Sequence, residues 1–501
     1  MLAFARGVSH RTGILCAAMR LPHLVPLPAR ALLLLLAGAR IASAQAPSAA
    51  DYESIQAAVE ANPGLMIFVP AGDHLVDRVI MIGGKGGGLY GPGRIIQTNA
   101  ESPIVRFENC KGGQLRDLTL TRAEGKMDTA QEGVLVRQCS ETVLENIRVI
   151  DNRTVASAIG VRESSGTQLR GCRVENYKRI NIDDRTRSPL YGYAFRCIDG
   201  TGIDVEYSTD TLIQNCRVVE RHLLPTPAAK EQYQLGQFTK KNPEKGRLMS
   251  QAVWDADYTD NWYQGSGIVI NSPRTTARTQ LLGNQIENAA QGMDLHCDQA
   301  IVANNIVTNC FIGMKAMHGS RNVLITGNQF IRNDLWSIGL MPGTASTFAR
   351  AAEADAPAQE PNVTSGCIIA NNIISDFGYG DMQWVWGSHS AAPLRFDHGS
   401  LPENPPLTEV IIQGNLIYDT GRDQPLSNGV PKREPPALPL RCDRRDLSAQ
   451  SAVRPPLHRQ PLPPRHRRHE QRGAIAVASR SPLFSETGQK LRGQRLERLR
   501  A

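Results

Sequence analysis

The chain has 501 residues, of which 56 are Lys or Arg and 48 are Asp or Glu, so its formal net charge is +8. No run of 18 or more apolar residues occurs, which excludes a membrane-spanning helix of ordinary length. Residues 45–440 hold 36 basic and 43 acidic groups, whereas the segments 1–44 and 441–501 are strongly basic. The body is therefore acidic, and the positive total is no argument for nucleic-acid binding.

The first predicted element is an export signal over residues 1–44. Arg30 precedes a short apolar segment, and Ala42-Ser43-Ala44 follows it as a small-residue cleavage site. The apolar segment, about nine residues long, is too short to cross a bilayer. We therefore expect a secreted or periplasmic protein without membrane contact after signal removal. A buried apolar helix is the less favoured interpretation.

The next segment carries three short motifs in order. Asp51–Val59 predicts a short amphipathic helix, Ile67–His74 a strand with the turn Pro70-Ala71-Gly72, and Leu89–Gly93 a second turn. This opening resembles that of the pectate-lyase superfamily, which includes pectate lyase 3 and rhamnogalacturonase–epimerase-like proteins. The resemblance covers roughly 50–420 and implies an all-β, right-handed parallel β-helix with a short capping helix. It does not specify the reaction, because hydrolases, lyases, epimerases and binders share this fold.

An internal repeat favours the same fold. Short runs with an apolar residue at every second position recur, which is typical of strands. A repeat of about 21–25 residues cannot bury its own apolar face, so successive coils must stack. Stacking predicts a column of side-chain amides that bond from coil to coil. The third residues of the runs are Leu118, Ile147, Cys172, Cys216, Asn284, Asn305, Asn328, Asn372 and Asn415.

A second column is predicted eight residues before the first. Its small side chains account for three cysteines without disulfides, and Cys172 and Cys216 lie on the first column. Structural thiols are favoured, although a bridge between Cys110 and Cys139 on adjacent coils stays open. No cysteine or histidine spacing indicates a metal site. The second column is Cys110, Cys139, Ser164, Ser208, Thr276, Cys297, Ser320 and Thr364.

The strand before each column residue predicts a chemical face. Alternation turns its even positions inward, so its third and fifth positions project outward from one sheet. Because adjacent coils lie about 4.8 Å apart, Asp294 and Lys315 should be neighbours, with His296 on the same face. The candidate catalytic residues are Asp204, Glu206, Asp294, His296 and Lys315. The candidate substrate-binding residues on this face are Arg137, Arg162 and Asn271.

This set of side chains suits more than one reaction. A lyase or epimerase needs a base for the C5 proton of a uronic acid, here Lys315 or His296, and a cation for its carboxylate, here Arg162 or Arg137. A glycosidase needs two carboxylates about 5–9.5 Å apart, which Asp204 and Asp294 provide if their coils are adjacent. A solvated charged face is the alternative without function.

One motif on this face bears a further resemblance. Asp294-Leu295-His296-Cys297-Asp298 resembles the "DPHD" signature of β-helical mannuronan C5-epimerases, with Leu295 in place of proline and Cys297 inserted. That resemblance implies uronate C5-epimerisation as one candidate activity.

Loop insertions near 219–264, 342–363 and 376–405 interrupt the coil period. Flat aromatic side chains in such loops suit sugar rings, and packing of the loop onto the coil is the equal alternative. Asp255 and Asp257 make Ca²⁺ the one candidate cofactor, without a defined calcium loop. The aromatic candidates for substrate binding are Trp254, Trp262, Trp384 and Trp386.

The segment 433–501 changes character. Its last 61 residues contain fourteen Arg and six Pro, and no coil motif continues past Tyr418. A disordered basic arm is one interpretation; loss of the reading frame near 435–441 is the favoured one. For residues 45–432 we predict a β-helix that cleaves or modifies an acidic polysaccharide, with a non-catalytic binder or surface protein as alternative. The polymer and the oligomeric state stay open.

Overall fold

The repeat of the sequence becomes a coil of short strands in the computed structural model. Each circuit of the chain contributes one strand to each of three sheets, and neighbouring strands in all three are parallel. The structure describes residues 46–182, 193–241, 262–341, 363–377, 392–396 and 407–420. The predicted right-handed parallel β-helix is confirmed.

Three long sheets form the walls of the coil. Sheet 1 contains Met66–Phe68, Gly87–Tyr90, Gly113–Arg116, Val143–Glu145, Gln168–Arg170, Leu212–Gln214, Gln280–Leu282, Ile301–Ala303, Leu324–Thr326, Ile368–Ala370 and Ile411–Gln413. Sheet 2 contains Asp73–Val76, Arg94–Gln97, Thr119–Arg122, Arg148–Ile150, Arg173–Glu175, Arg217–Val219, Gln285–Glu287, Ile306–Thr308, Gln329–Ile331, Ile373–Ser375 and Leu416–Tyr418. Sheet 3 contains Ile80–Gly84, Val105–Cys110, Val134–Arg137, Ser157–Arg162, Thr201–Glu206, Ser266–Asn271, Gln291–Leu295, Ile312–Met317, Trp336–Met341 and Ala392–Phe396.

A short helix covers the first coil. It spans Ile55–Ala61 and follows a 3₁₀ turn at Ala49–Asp51. The predicted helix begins later than expected because Ser54 is its N-cap, with the hydroxyl accepting from the Ala57 amide at 3.0 Å. Ile55 and Ala58 are buried in the main core, so the helix closes the apolar interior at this end.

The asparagine column forms as predicted. The backbone N and side-chain Nδ2 of Asn284 both donate to Oδ1 of Asn305, at 2.9 Å each. Nδ2 of Asn305 also donates to the Leu281 carbonyl at 2.9 Å. The pattern repeats through Asn328 and Asn372 to Asn415. These amides satisfy buried polar groups that the turn between sheets 1 and 2 would otherwise leave without partners.

The second column also forms. The Cys110 amide donates to Sγ of Cys139 at 3.4 Å, and the Cys139 amide donates to Oγ of Ser164 at 3.1 Å. All eight cysteines within the described residues are buried free thiols, so the structure agrees with structural thiols there. Burial raises the pKa of the Cys310 thiol to about 12, which keeps it protonated and unreactive.

Elements outside the coil pack against one another beside sheet 3. An antiparallel sheet joins Arg179–Ile182, Tyr193–Asp199 and Phe238–Lys241, and a helix spans Pro227–Gln232. A parallel pair links Asp128–Thr129 to Arg153–Thr154. The helix and the strand Phe238–Lys241 belong to the predicted insertion near 219–264, whereas the strands Arg179–Ile182 and Tyr193–Asp199 leave the coil earlier in the chain. No helix within the described residues is long and apolar enough to cross a membrane.

A second apolar cluster, separate from the main core, contains a buried lysine at its edge. Lys178 is fully buried; its Nζ donates to the Gln264 carbonyl at 3.0 Å and lies 3.9 Å from the ring centroid of Tyr263. Burial lowers the pKa of Lys178 to about 7, although Glu220 acts in the opposite direction. Members of the cluster include Ile198, Leu223, Leu235, Trp262, Tyr263, Phe311, Met317, Leu335 and Trp336.

Several predicted segments lie outside the described residues. The export signal over 1–44, the basic tail over 433–501 and most of the insertions near 342–363 and 376–405 belong to this group. The last described coil exposes apolar side chains, with Ile411 at 52% and Leu416 at 56% of their full areas.

Candidate functional site

The outer face of sheet 3 gathers the predicted catalytic residues. Strand register pairs Asp204 with Val269, Val269 with Asp294, and Asp294 with Lys315. The alternate residues Met293 and Leu295 are fully buried in the core of the coil. The predicted neighbourhood of Asp294 and Lys315 is therefore confirmed by the register.

Asp294 is the centre of the cluster. Its Oδ1 lies 3.1 Å from Nε2 of His296, and its Oδ2 lies 3.5 Å from Nζ of Lys315. The three side chains are only 4–6% exposed. The alternative of a solvated charged face is therefore wrong for these residues. Burial of charged groups is costly unless they are paired, and here one carboxylate serves two partners.

A second histidine joins the cluster. The rings of His296 and His318 meet edge to face, with centroids 5.0 Å apart, and His318 is fully buried. Strand alternation did not predict His318 because this residue follows the strand Ile312–Met317 with φ at +54°, where alternation no longer sets the direction of a side chain. The only available sequence signal was a histidine directly before Gly319.

Arg162 binds three carboxylates on the neighbouring coils. Its guanidinium nitrogens lie 3.1 Å from Glu132, 3.6 Å from Asp204 and 3.8 Å from Glu206. Burial lowers the pKa of Arg162, but the attraction of these carboxylates and Glu163 outweighs it and leaves the pKa raised. The predicted clamp for a substrate carboxylate is thus already engaged by the protein. Glu132 was missed because it lies before its strand.

Two further predicted residues extend this charged face. Nδ2 of Asn271 donates to Oε1 of Glu206 at 3.2 Å. Arg137 pairs in register with Arg162, is 41% exposed at its side chain, and lies 4.0 Å from both Glu108 and Glu163. The face is therefore open at Arg137 and closed at Asp294.

The predicted glycosidase pair does not form on adjacent coils. Val269 lies between Asp204 and Asp294 in the sheet, so their backbones are separated by about 9.6 Å, twice the strand spacing of about 4.8 Å. Retaining enzymes hold their carboxyl groups about 5–5.5 Å apart and inverting enzymes about 6.5–9.5 Å apart. The glycosidase prediction required Asp204 and Asp294 to lie on adjacent coils, and they do not.

Of the four tryptophans predicted to bind substrate, the structure describes one. Trp262 is 4% exposed and lies 5.6 Å from Nζ of Lys230 across its ring, which favours packing of the insertion over contact with a sugar. Trp254, Trp384 and Trp386 lie outside the described residues. Asp255 and Asp257, the candidate Ca²⁺ ligands, lie there as well. Within the described part of the chain, no group of three or more His, Cys, Asp or Glu side chains is arranged to hold a metal.

Comparison with known proteins gives structural likenesses alone. No protein-family model and no curated protein matches the chain. The A-module of the Azotobacter vinelandii mannuronan C-5 epimerase AlgE6 matches at 13% identity and TM-score 0.41, over 74% of this chain and 99% of that one. ORF18 of Geobacillus virus E2 matches at 13% identity and TM-score 0.40, over 74% of this chain.

This chain spans 58% of the length of the viral protein. The Streptococcus pneumoniae surface adhesin PfbA matches at 12% identity and TM-score 0.36, over 77% of this chain and 99% of that one. Likenesses at this level say nothing about the reaction, which rests on the residues of the site.

Proposed function

We propose that the protein acts on an acidic polysaccharide by removing the proton next to a sugar carboxylate, as a uronate lyase or C5-epimerase does. The observation that carries the proposal is the contact of one buried carboxylate, Asp294, with both His296 and Lys315. With the export signal predicted over 1–44, we propose that this activity belongs to the periplasm or the exterior of the cell.

His296 is the proposed base. Asp294 holds its Nε2 at 3.1 Å, which orients the ring and leaves Nδ1 as the nitrogen for a substrate proton. An oriented imidazole with a carboxylate behind it is a recurrent arrangement for proton transfer. His318 packs edge-on against the same ring and restricts its rotation.

Lys315 is the proposed partner of the substrate carboxylate. Neutralising that group makes the adjacent carbon more acidic, which a proton abstraction requires. The sequence assigned this role to Arg162 or Arg137, but in sheet 3 their strands lie three and four strands away from that of Asp294, whereas the strand of Lys315 is its direct neighbour. Lys315 lies 3.5 Å from Asp294, beside the proposed base, and its ammonium is a compact charge on a flexible stem.

A hydrolytic reaction fits the site less well. It needs two carboxyl groups across the scissile bond, whereas Asp204 and Glu206 are both ion-paired with the same guanidinium, that of Arg162, at 3.6 and 3.8 Å. Asp204 and Asp294 are also separated by the coil of Val269. Proton abstraction is accordingly the better-supported member of the class.

The test is an assay of the processed protein on polygalacturonate and on alginate. Ultraviolet absorbance of unsaturated uronate ends reports a lyase, and a change in the C5 configuration by proton NMR reports an epimerase. Asp294→Asn should abolish either signal. Asp210→Asn is the matched control, because Asp210 is also an aspartate paired with a cation, Arg278, at 2.6 Å, but on the exposed surface. Release of reducing ends without either signal would contradict the proposal.

A non-catalytic binder is the second candidate. The low exposure of Asp294, His296 and Lys315 favours it, because a polymer needs access to the atoms that react. Polymer binding without turnover on any uronate substrate, unchanged in Asp294→Asn, would support this alternative.

A further inference from the structure

The outer face of sheet 2 carries arginines on three consecutive coils. Strand register pairs Arg148 with Arg173 and Arg173 with Arg217. Thr119 precedes this row and Gln285 follows it in the same register. We call the row of Arg148, Arg173 and Arg217 the arginine ladder. Its side chains follow one another at the strand spacing of about 4.8 Å.

The ladder is only partly neutralised. Arg173 pairs with Glu175 at 2.7 Å. Within the described residues, Arg148 and Arg217 have neither an ion pair nor a side-chain hydrogen bond. Arg148 is exposed, Arg173 keeps 39% of its side-chain area exposed, and Arg217 is half-buried. Like charges directly opposite one another destabilise a sheet, so the ladder lowers stability unless an anion lies against it.

We propose that the arginine ladder is a second binding surface, separate from the Asp294 site, for a linear acidic polysaccharide. The chain of the ligand runs along the stack, across the strands, so that successive carboxylates meet successive guanidinium groups. Arginine suits this role because its planar donors match a carboxylate in a two-bond geometry. Binding at the ladder does not depend on the reaction proposed for the Asp294 site.

The charge distribution of the molecule makes the ladder stand out. Residues 45–440 carry 36 basic and 43 acidic groups, a net charge of −7 (36 − 43), so the body as a whole has no excess of positive charge. A local positive row on such a surface directs an anionic chain to one place and one orientation. Thr119 and Gln285 add uncharged hydrogen-bonding groups at its two ends, which suits the hydroxyl groups of a sugar chain.

A polysaccharide fits the ladder better than a nucleic acid. Proteins that hold single-stranded nucleic acids place aromatic side chains beside their cations so that the bases stack. Two positions along each strand, on the same side of the sheet, lie Ile150, Glu175 and Val219, of which Val219 is buried. None of them is aromatic, so the ladder has no ring on which a base could stack.

The test measures binding of the full chain to polygalacturonate by calorimetry at low and high salt. The variant is the triple substitution Arg148→Gln, Arg173→Gln and Arg217→Gln, with the fold checked by circular dichroism. We expect a loss of affinity of about tenfold or more at low salt and a weaker salt dependence. The matched control is Arg94→Gln with Arg278→Gln, because these exposed arginines are already paired with Asp73 and Asp210.

Three results would overturn the inference. They are unchanged affinity in the triple variant, an equal loss in the control variant, and binding of single-stranded DNA or a neutral polymer as tight as that of polygalacturonate. Asp294→Asn separates the two proposals, since it should leave binding at the ladder intact. Turnover of short oligouronates by the triple variant should stay at the level of the parent protein, because the ladder is on a different sheet from Asp294.

Discussion

Two stacks of buried polar side chains run along the coil, and they are built in opposite ways. The asparagine column repeats one residue from Asn284 to Asn415, and each amide bonds to the same atoms of the next. The outer face of sheet 3 changes residue at every coil, from Asp204 through Val269 and Asp294 to Lys315. One stack is uniform and neutral, and the other is varied and ionisable.

The difference separates a stabilising element from a candidate site. A uniform column satisfies backbone groups by the same bonds at each coil, which is what a stacked fold requires. The row on sheet 3 brings an acid, a base and a cation together, and these side chains do not make the same bond at each coil. Buried ionisable groups of this kind cluster at functional sites. In a fold of repeated coils, a row whose residue type changes from coil to coil is therefore a better indication of function than a row that stays the same.

The largest expected effect concerns turnover at the varied stack. His296→Gln should lower kcat by about 10²–10⁴-fold, because the proposed base is lost, while the free energy of unfolding stays near that of the parent. Kinetics on the responsive uronate polymer and urea unfolding measure the two quantities. The control is His222→Gln, an exposed histidine outside the site. Equal activity in both variants would remove the distinction between the stacks.

The uniform stack should give the opposite result. Asn305→Ala deprives the backbone N and Nδ2 of Asn284 of their shared acceptor and leaves a small cavity. We expect the free energy of unfolding to fall by roughly 2–4 kcal/mol, with kcat of the remaining folded protein nearly unchanged. Gln285→Ala, on an exposed strand position, should cost less than about 0.5 kcal/mol. A loss of activity without a loss of stability would contradict a stabilising role for the column.

Lys178 tests whether every buried charge indicates a site. Its pKa of about 7 lies below the value of about 10.4 in an unfolded chain. Between these values the unfolded state binds the extra proton, so this lysine makes stability rise with pH through that window. Below pH 7 both states are protonated, and the slope from this group vanishes.

Lys178→Met should remove that slope. We expect the parent protein to gain about 1 kcal/mol per pH unit relative to the variant between pH 7 and 8.5. Ionisation of unfolded thiols in the upper part of this interval is common to both proteins and cancels in the difference. Urea unfolding at several pH values within this interval measures it. Identical slopes in the two proteins would mean that the pKa of Lys178 is not lowered by folding, and that its ammonium stays charged beside Tyr263 in this pH range.

The smallest effect is expected in the column of thiols and hydroxyls. Cys139→Ser should change the free energy of unfolding by less than about 1 kcal/mol, because Ser164 and Ser208 fill the same position on the next coils. Denaturant unfolding under reducing conditions measures the change. A much larger loss would mean that the thiol contributes more than a hydrogen-bonding group of suitable size.

The sequence predicts what repeats and misses what does not. Alternation with period two places Asp294 beside Lys315 correctly, because the strand rule holds on both coils. The same rule has no force for His318 or Glu132, which lie outside the strands. It also cannot fix the order of coils across the insertion near 219–264. Whether Asp204 and Asp294 lie on adjacent coils therefore stayed open until the register placed Val269 between them.

Burial of the face was equally beyond a local pattern. Elements far along the chain, among them Tyr193–Asp199 and Trp262, pack outside the coil, and nothing in the strand itself records what will lie over it. Exposure depends on such distant packing, whereas register depends on neighbours. The sequence therefore located the candidate residues better than it described their surroundings.

Partners on successive coils can be far apart in the chain. Ser164 and Ser208 are 44 residues apart, and Ser208 and Thr276 are 68 apart, yet their hydrogen bonds match those of the shorter coils. A segment can thus be gained or lost at one place while the rungs on either side keep their register. In evolutionary terms, such a chain can inherit its scaffold unchanged and acquire its chemistry piece by piece.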